Sequence, residues 1–196
     1  MRTYKLVGLT GRTGSGKSIA REVFEESGYK VIDADSLARE AIENRLVKGD
    51  ILAVFGVDLL KDGDIDRGEL AKRAFKNADS VKTLNSIIHP RIVSIFLNRL
   101  KTLCKEGDKK FLFDAPQLFE AGLDVVCDSI IALGAPEKVR IERITERDGI
   151  TEEMAKSRLR IQLSDSFFKE NCDYYIENDS SIDKMKAKVR EIIPQV

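Results

Sequence analysis

The octet GRTGSGKS, Gly11 to Ser18, constrains this chain more than any other stretch. It fits G-x-x-x-x-G-K-[ST], with Gly11, Gly16, Lys17 and Ser18 at the fixed places. Phosphates carry charge on every free oxygen, so a binder must converge many donors in little space. Glycines let the backbone turn inward and present its N–H groups, here through Gly14, Ser15, Gly16 and the backbone of Ile19. Lys17 is placed to reach the β/γ-oxygens as a point charge, and the Ser18 hydroxyl suits Mg²⁺. Upstream, Tyr4 to Leu9 is a short run of strand type. Downstream, the apolar pairs of Ile19 to Phe24 recur at helical spacing, and Gly28 is placed to end that helix. Strand, loop and helix is the setting that turns this pattern from a tight turn into a site for the phosphates of ATP or GTP.

The remaining periodicity predicts the scaffold. Five apolar runs, Lys5–Leu9, Lys30–Ile32, Phe111–Phe113, Ser129–Leu133 and Tyr174–Ile176, are mostly unbroken. Unbroken runs suit parallel strands covered on both faces. Helical patterns separate them, so the expected class is α/β, a doubly wound and mostly parallel five-stranded sheet. Ligands of such sheets bind beyond the carboxyl ends of the strands. The first three runs lead into Gly11–Ser18, Asp33-Ala34-Asp35 and Asp114-Ala115-Pro116, so one edge collects a phosphate loop and three acids.

Each acid has two readings. Asp35 precedes a helical pattern and is either an N-cap or a substrate contact. Asp33 lies at the strand end, where a cap is harder to justify; it is the candidate base for a hydroxyl that attacks a phosphoryl group. Asp114 closes a hydrophobic strand, the pattern that assists Mg²⁺ directly or through water. Glu120 is an active-site acid or a solvated one.

Residues 45–105 are too long for a crossover connection and carry helical patterns near Arg67–Phe75, Ser80–Ile87 and Pro90–Leu103, after a turn at Asp62-Gly63. They predict an inserted helical lobe over the acceptor. His89-Pro90 lies within it, with Pro90 at a helix start and His89 either its boundary residue or a ligand. His89 is the only histidine, so no multi-histidine metal site exists. Pro136 opens a further helix on which Arg140, Arg143 and Arg147 share a face, followed by Arg158 and Arg160. Glutamates nearby allow a solvated face; the alternative is a lid that closes guanidinium groups over the transferring phosphoryl. Ile182, Met185, Val189, Ile192 and Ile193 form the stripe of a last helix.

Lys plus Arg and Asp plus Glu both number 33, so no global field points to nucleic acid or a membrane. Three scattered cysteines read as thiols of an intracellular protein. The short apolar N-terminal run and the lack of any bilayer-length stretch make the cytoplasm the expected compartment.

In GLTGRTGSGKS, VIDAD, IDRGEL, LNSIIHP, FDAPQLFEAG, RITERD, Arg158 with Gln162, and CDYYIEN, the sequence resembles the dephospho-CoA kinases of the P-loop kinase group. The resemblance runs nearly end to end. It implies ATP-dependent phosphorylation of the ribose 3′-hydroxyl of dephospho-CoA, the last step of coenzyme A synthesis. It implies one kinase domain, with a core of 1–44, 106–135 and 168–196, a CoA lobe at about 45–105 and a lid at about 136–167. It implies Asp33 as the base, Lys17 as the phosphate clamp, Arg143 and Arg147 as lid arginines and His89-Pro90 in the CoA lobe, so the catalytic candidates are Lys17, Asp33, Arg143 and Arg147 and the substrate-binding candidates Asp33, Asp35, His89, Pro90, Asp114 and Glu120. Ser18 and Asp114 are implied as Mg²⁺ ligands, and the chain as a monomer or weak homo-oligomer. Arg12-Thr13 departs from the Gly-Ile usual in the family's loop, and Asp179-Ser180 from a usual Asn/Ser-Gly turn. Another small-molecule or nucleoside monophosphate kinase on this scaffold is the nearest alternative. A GTPase switch would need a guanine-reading N-K-x-D, which the sequence lacks.

Overall fold

A computed structural model describes residues 3–196. Contacts divide it into two compact units. One runs to Asp33 and resumes with Thr102–Val196; the other is Ala34–Lys101.

The first unit holds a sheet of β1 (Lys5–Gly11), β2 (Lys30–Asp33), β5 (Lys110–Asp114), β6 (Ser129–Gly134) and β7 (Tyr174–Glu177), in the order β2-β5-β1-β6-β7. Every pairing is parallel. The expected doubly wound sheet is present, each strand within two residues of the apolar run that announced it. Both faces are covered, which is why the runs do not alternate. On one face Val7, Leu9, Leu112, Ile131 and Leu133 pack against Ala20, Val23 and Phe24 of α1 (Lys17–Glu26) and Met185 and Val189 of α9 (Ile182–Ile192). Side chains alternate across a strand, so Leu6, Phe111 and Phe113 point the other way, and they too are buried. Ile182, expected on the apolar stripe of α9, lies in its first turn and is 60% exposed. A helical hairpin, α6 (Glu137–Asp148) and α7 (Glu152–Arg160), has its own small core of Ile141, Ile144, Ala155 and Leu159. Gly149 ends α6 at φ 63°, the left-handed conformation glycine adopts without steric cost. A short helix, α8 (Asp165–Asn171), is capped by the Ser164 hydroxyl, which accepts from the Phe167 N–H.

Register places the acids. Leu9 pairs with Asp114, and Asp114 with Asp33, so β1, β5 and β2 end side by side. The Ala115 N–H donates to the Leu9 carbonyl at 2.9 Å and the Thr10 hydroxyl to the Pro116 carbonyl at 3.3 Å, fastening the segment after Asp114 beside the strand that enters the glycine-rich loop.

The second unit contains α2 (Ala34–Glu43), α3 (Arg45–Phe55), α4 (Arg67–Ala74) and most of α5 (Ala78–Glu106). A two-residue turn at Asp62-Gly63, both at positive φ, joins the short strands β3 (Leu60–Lys61) and β4 (Asp64–Ile65). The Asp of the IDRGEL stretch, Asp66, caps α4 by accepting from the Glu69 N–H at 2.9 Å. Arg73 ties α4 back to the Phe55 carbonyl at 2.7 Å and to Asp58.

Two local expectations need correction. Helix α2 begins at Ala34, directly after β2, so Asp35 sits inside the first turn and is not its cap. There its charge meets the positive end of the helix. Pro90 does not start a helix; it lies within the continuous 29-residue α5, so His89 is not a boundary residue. The sequence predicts two helices because proline removes one N–H and crowds the carbonyl four residues back. The structure keeps one because Leu84, Ile88, Ile92, Ile95, Phe96 and Leu100 form one buried stripe through the proline. No helix among the described residues is long and apolar enough to cross a membrane.

Pro90→Ala restores the missing donor. It is expected to stabilise the chain by about 1 kcal/mol or more and raise the thermal midpoint by roughly 2–4 °C. A midpoint that stays put or falls would show that α5 is adapted to its proline.

Candidate active site

The loop after β1 is a cup of backbone. Gly11, Gly14 and Gly16 all have positive φ. At Gly16 the requirement is double: φ is 91°, and a Cβ would stand 2.3 Å from the Asn178 amide nitrogen. Lys17 is the first residue of α1, and its Nζ donates to the Gly11 carbonyl at 3.3 Å, spanning the cup. Ser18 follows, exposed at the helix start. Ser15 is buried; its N–H donates to the Arg12 carbonyl, and the Ile19 N–H to the Gly16 carbonyl, both at 3.1 Å.

Neighbours hold the cup from outside. The Asn178 side-chain amide donates to the Ser15 carbonyl at 2.9 Å, and Arg143 Nη1 donates to the Gly14 carbonyl at 3.0 Å. In a trans peptide the carbonyl and the following N–H point in opposite directions. Fixing the Ser15 carbonyl outward therefore aims the Gly16 N–H the other way. Gln162 grips Thr13 twice: its Oε1 accepts from the Thr13 N–H at 3.1 Å, and its Nε2 donates to the Thr13 hydroxyl at 2.9 Å. Arg12 donates to the Leu159 carbonyl and pairs with Asp165 at 3.2 Å. Asp165 also takes Arg140 at 2.9 Å and the Tyr175 hydroxyl at 3.2 Å.

This cluster departs from the sequence expectation for Arg140. Its side chain is only 3% exposed, so it is an internal anchor of the hairpin and not an arginine at the surface of a lid. Burial alone would raise the Asp165 carboxyl; the hydrogen bond and charge of Arg140, and then those of Arg12, outweigh it and hold the carboxyl below its usual range. Tyr175 is pushed up to about 12, first by burial and then by the adjacent Asp165 charge.

Of the residues expected in the site, Asp33 and Asp114 end adjacent strands at the sheet edge that carries the loop with Lys17 and Ser18, and Arg143 bonds the loop itself. Asp33 is half-buried and pairs with Arg21 Nη1 at 3.3 Å. Glu120, four residues past Pro116, has solvent at its surface, yet enough protein surrounds it for desolvation to raise its carboxyl. Arg147 pairs with the adjacent Asp148 at 2.7 Å, and Arg158 reaches the same carboxylate at 2.6 Å. The hydrogen bond and charge of Arg147 lead in lowering the Asp148 carboxyl. In the second unit, Asp35 is exposed at the start of α2, His89 is half-buried in mid-α5 and Pro90 is exposed beside it.

Arg12, Arg21, Tyr175 and Asp165 had no assigned place from sequence. Arg12 lies in the glycine-rich octet and Tyr175 in CDYYIEN, while the signal for Arg21 is its place four residues past Lys17, on the same face of α1. Among the described residues no group of three or more His, Cys, Asp and Glu could hold a metal by itself. An oxygen set of one hydroxyl and one or two carboxylates, with phosphate oxygens completing the sphere, is what Mg²⁺ takes with a nucleotide. Ser18 and Asp114 fit that set.

Comparison with known proteins gives this geometry a family. The family model described as dephospho-CoA kinase matches residues 5–184. A dephospho-CoA kinase of Fusobacterium nucleatum is 39% identical over 185 residues, 94% of either chain. The chain belongs to the dephospho-CoA kinase family. Among solved structures, a dephospho-CoA kinase from Campylobacter jejuni superposes with a TM-score of 0.70 at 28% identity, covering 97% of this chain and 96% of that one. A shikimate kinase from Acinetobacter baumannii, in complex with shikimate, has a TM-score of 0.56 at 17% identity over 98% and 94%, a likeness of fold alone. The family thus shares its P-loop kinase scaffold with a kinase of another acceptor. The chain is an ATP-using kinase, with the α/β fold and helical insertions expected of it.

Asp165→Asn leaves the Arg140 guanidinium buried without its counter-charge. Since Asp165 is partly open to water, the expected cost is about 2 kcal/mol, below that of a fully buried pair. The lowered carboxyl sets the sign with pH. Its contribution is complete above the unfolded pKa near 4 and disappears as pH falls through the lower folded value. The gap in thermal midpoint between wild type and Asp165→Asn should therefore narrow below about pH 4; a constant gap from neutral to acid pH would deny the carboxylate this role.

Proposed function

We propose that this dephospho-CoA kinase uses Asp33 as the base that delivers the ribose 3′-hydroxyl of dephospho-CoA to the γ-phosphoryl of ATP, giving coenzyme A and ADP. The observation that carries the reading is register. Asp33 ends the strand beside Asp114, on the sheet edge that also carries the phosphate loop. A carboxylate there can accept a hydroxyl proton while the attacking oxygen lines up with the phosphorus.

The other roles follow from charge and position. The amides of Gly14 to Ile19 cradle the phosphates, and the Lys17 ammonium, held over the loop, offsets negative charge on the β- and γ-oxygens. Arg143 and Arg147, both carried by α6, are the arginines that would reach the transferring group in this reading. The hairpin of α6 and α7, within the segment 136–167, acts as the lid that excludes water. Ser18 and Asp114 would hold Mg²⁺, which when bound would supply positive charge to offset that of the phosphates. In the inserted lobe, Asp35, His89 and Pro90 are acceptor-binding residues; Glu120, in the segment after β5, is a further one. The enzyme works in the reducing cytoplasm; Cys104, Cys127 and Cys172 form no disulfide among the described residues.

Incubated with ATP and Mg²⁺, the protein should add one phosphate to dephospho-CoA, visible by mass spectrometry, and leave AMP and shikimate unchanged. Phosphorylation of either of those instead would reassign the acceptor. Asp33→Asn should keep ATP affinity while turnover falls by about 10²-fold or more; turnover close to wild type would remove Asp33 from the chemistry. Lys17→Ala should instead weaken nucleotide binding together with turnover, read by titration with a fluorescent ATP analogue.

A further inference from the structure

Arg21 belongs to no motif, yet the fold brings it to the acid at the end of β2. Its Nη1 lies 3.3 Å from Asp33 Oδ2, while its Nε lies 3.3 Å from Glu25 Oε1, one turn further along α1. The guanidinium is thus held at two of its edges by two carboxylates. Lys17 and Arg21 are four residues apart, so one face of α1 presents the phosphate-binding ammonium and, a turn later, this guanidinium.

The setting gives the contact more meaning than an ordinary surface pair. Asp33 and Asp114 are register partners on adjacent parallel strands, whose spacing is about 4.8 Å. Their side chains leave the sheet on the same side, so two carboxylates stand abreast at the sheet edge. Like charges at that distance repel and would swing a short side chain away from the position a transferred proton requires. A base is useful only when a third group fixes its orientation. One Asp33 oxygen lies 3.3 Å from Arg21 Nη1, and this always-charged guanidinium restrains the swing of the carboxylate. Both side chains are about one-third exposed, so the pair contributes little to stability, and its value lies in aim.

We propose that Arg21 is a positioning residue for the catalytic base, its Glu25-anchored guanidinium holding the Asp33 carboxylate in line for the acceptor hydroxyl. The proposal rests on Asp33 being that base.

The test uses the full chain in four forms, Arg21→Gln, Arg21→Lys, Asp33→Asn and the Arg21→Gln/Asp33→Asn double variant. Steady-state kinetics with ATP and dephospho-CoA, ATP-analogue binding and thermal unfolding are measured on each. Arg21→Gln should unfold like wild type and bind the analogue within about twofold, while kcat falls roughly tenfold, the scale of a small misplacement of a reacting group. Arg21→Lys should recover part of that loss, since it keeps the charge without the fork. In the double variant, kcat should be no lower than in Asp33→Asn alone, because groups that act as one unit are not additive. If Asp33→Asn loses turnover while Arg21→Gln keeps it, the positioning role is overturned and the base stands. The positioning role falls equally if the Arg21→Gln defect appears in analogue binding with kcat unchanged, or if the two losses multiply. Turnover near wild type in Asp33→Asn overturns the base assignment itself, and the role of Arg21 with it.

Discussion

The hydrogen bonds that take up the outward carbonyls of the glycine-rich loop are what the rest of this structure depends on. A phosphate cup needs its amides facing in, so its carbonyls must face out and find donors elsewhere. Here Asn178 takes the Ser15 carbonyl and Arg143 takes that of Gly14. Both donors come from far along the chain, one from the segment after β7 and one from α6. The sheet brings them there: β6 and β7 follow β1 in lateral order, so whatever leaves their carboxyl ends arrives beside the loop. The parallel sheet is both the core of the first unit and the device that assembles the donors.

A second layer of charge stiffens this arrangement. Asp165 gathers Arg140, Arg12 and Tyr175, joining the loop to α6, α8 and β7. Gln162 adds two bonds to Thr13. Arg12 and Thr13 are thus joined to the segment that carries α7 and α8. Buried or half-buried charges of this kind persist only when paired, since removing one partner strands the other away from water. The network therefore has few alternative arrangements, which suits a cup whose donors must be in place before substrate arrives.

Much of this was legible because it is local. Apolar runs without alternation announced parallel strands, and the glycine spacing announced the cup. Acids at strand ends announced the edge, since a strand's last residue cannot escape that position. Legibility failed where distant packing outvoted a local rule. Pro90 reads as a helix start, yet a stripe of buried side chains carries α5 through it. Asp35 reads as a cap, yet β2 leads straight into α2. Arg140 reads as one of a surface row, although helical spacing cannot say which member of the row turns inward. Its partner, Asp165, is 25 residues away in sequence, and no periodicity links the two.

The sequence by itself determined the phosphate loop, the order of strands and helices and the acids available at one edge, because these depend on backbone freedom and hydrophobic period over short stretches. It also determined the family, through motifs spread along nearly the whole chain. Tertiary structure alone decided which carboxylates stand abreast, which arginines become internal anchors and which one reaches Asp33. Those outcomes are set by lateral strand order and burial, and in a folded chain the neighbours that fix a charge are chosen by packing, not by distance along the sequence.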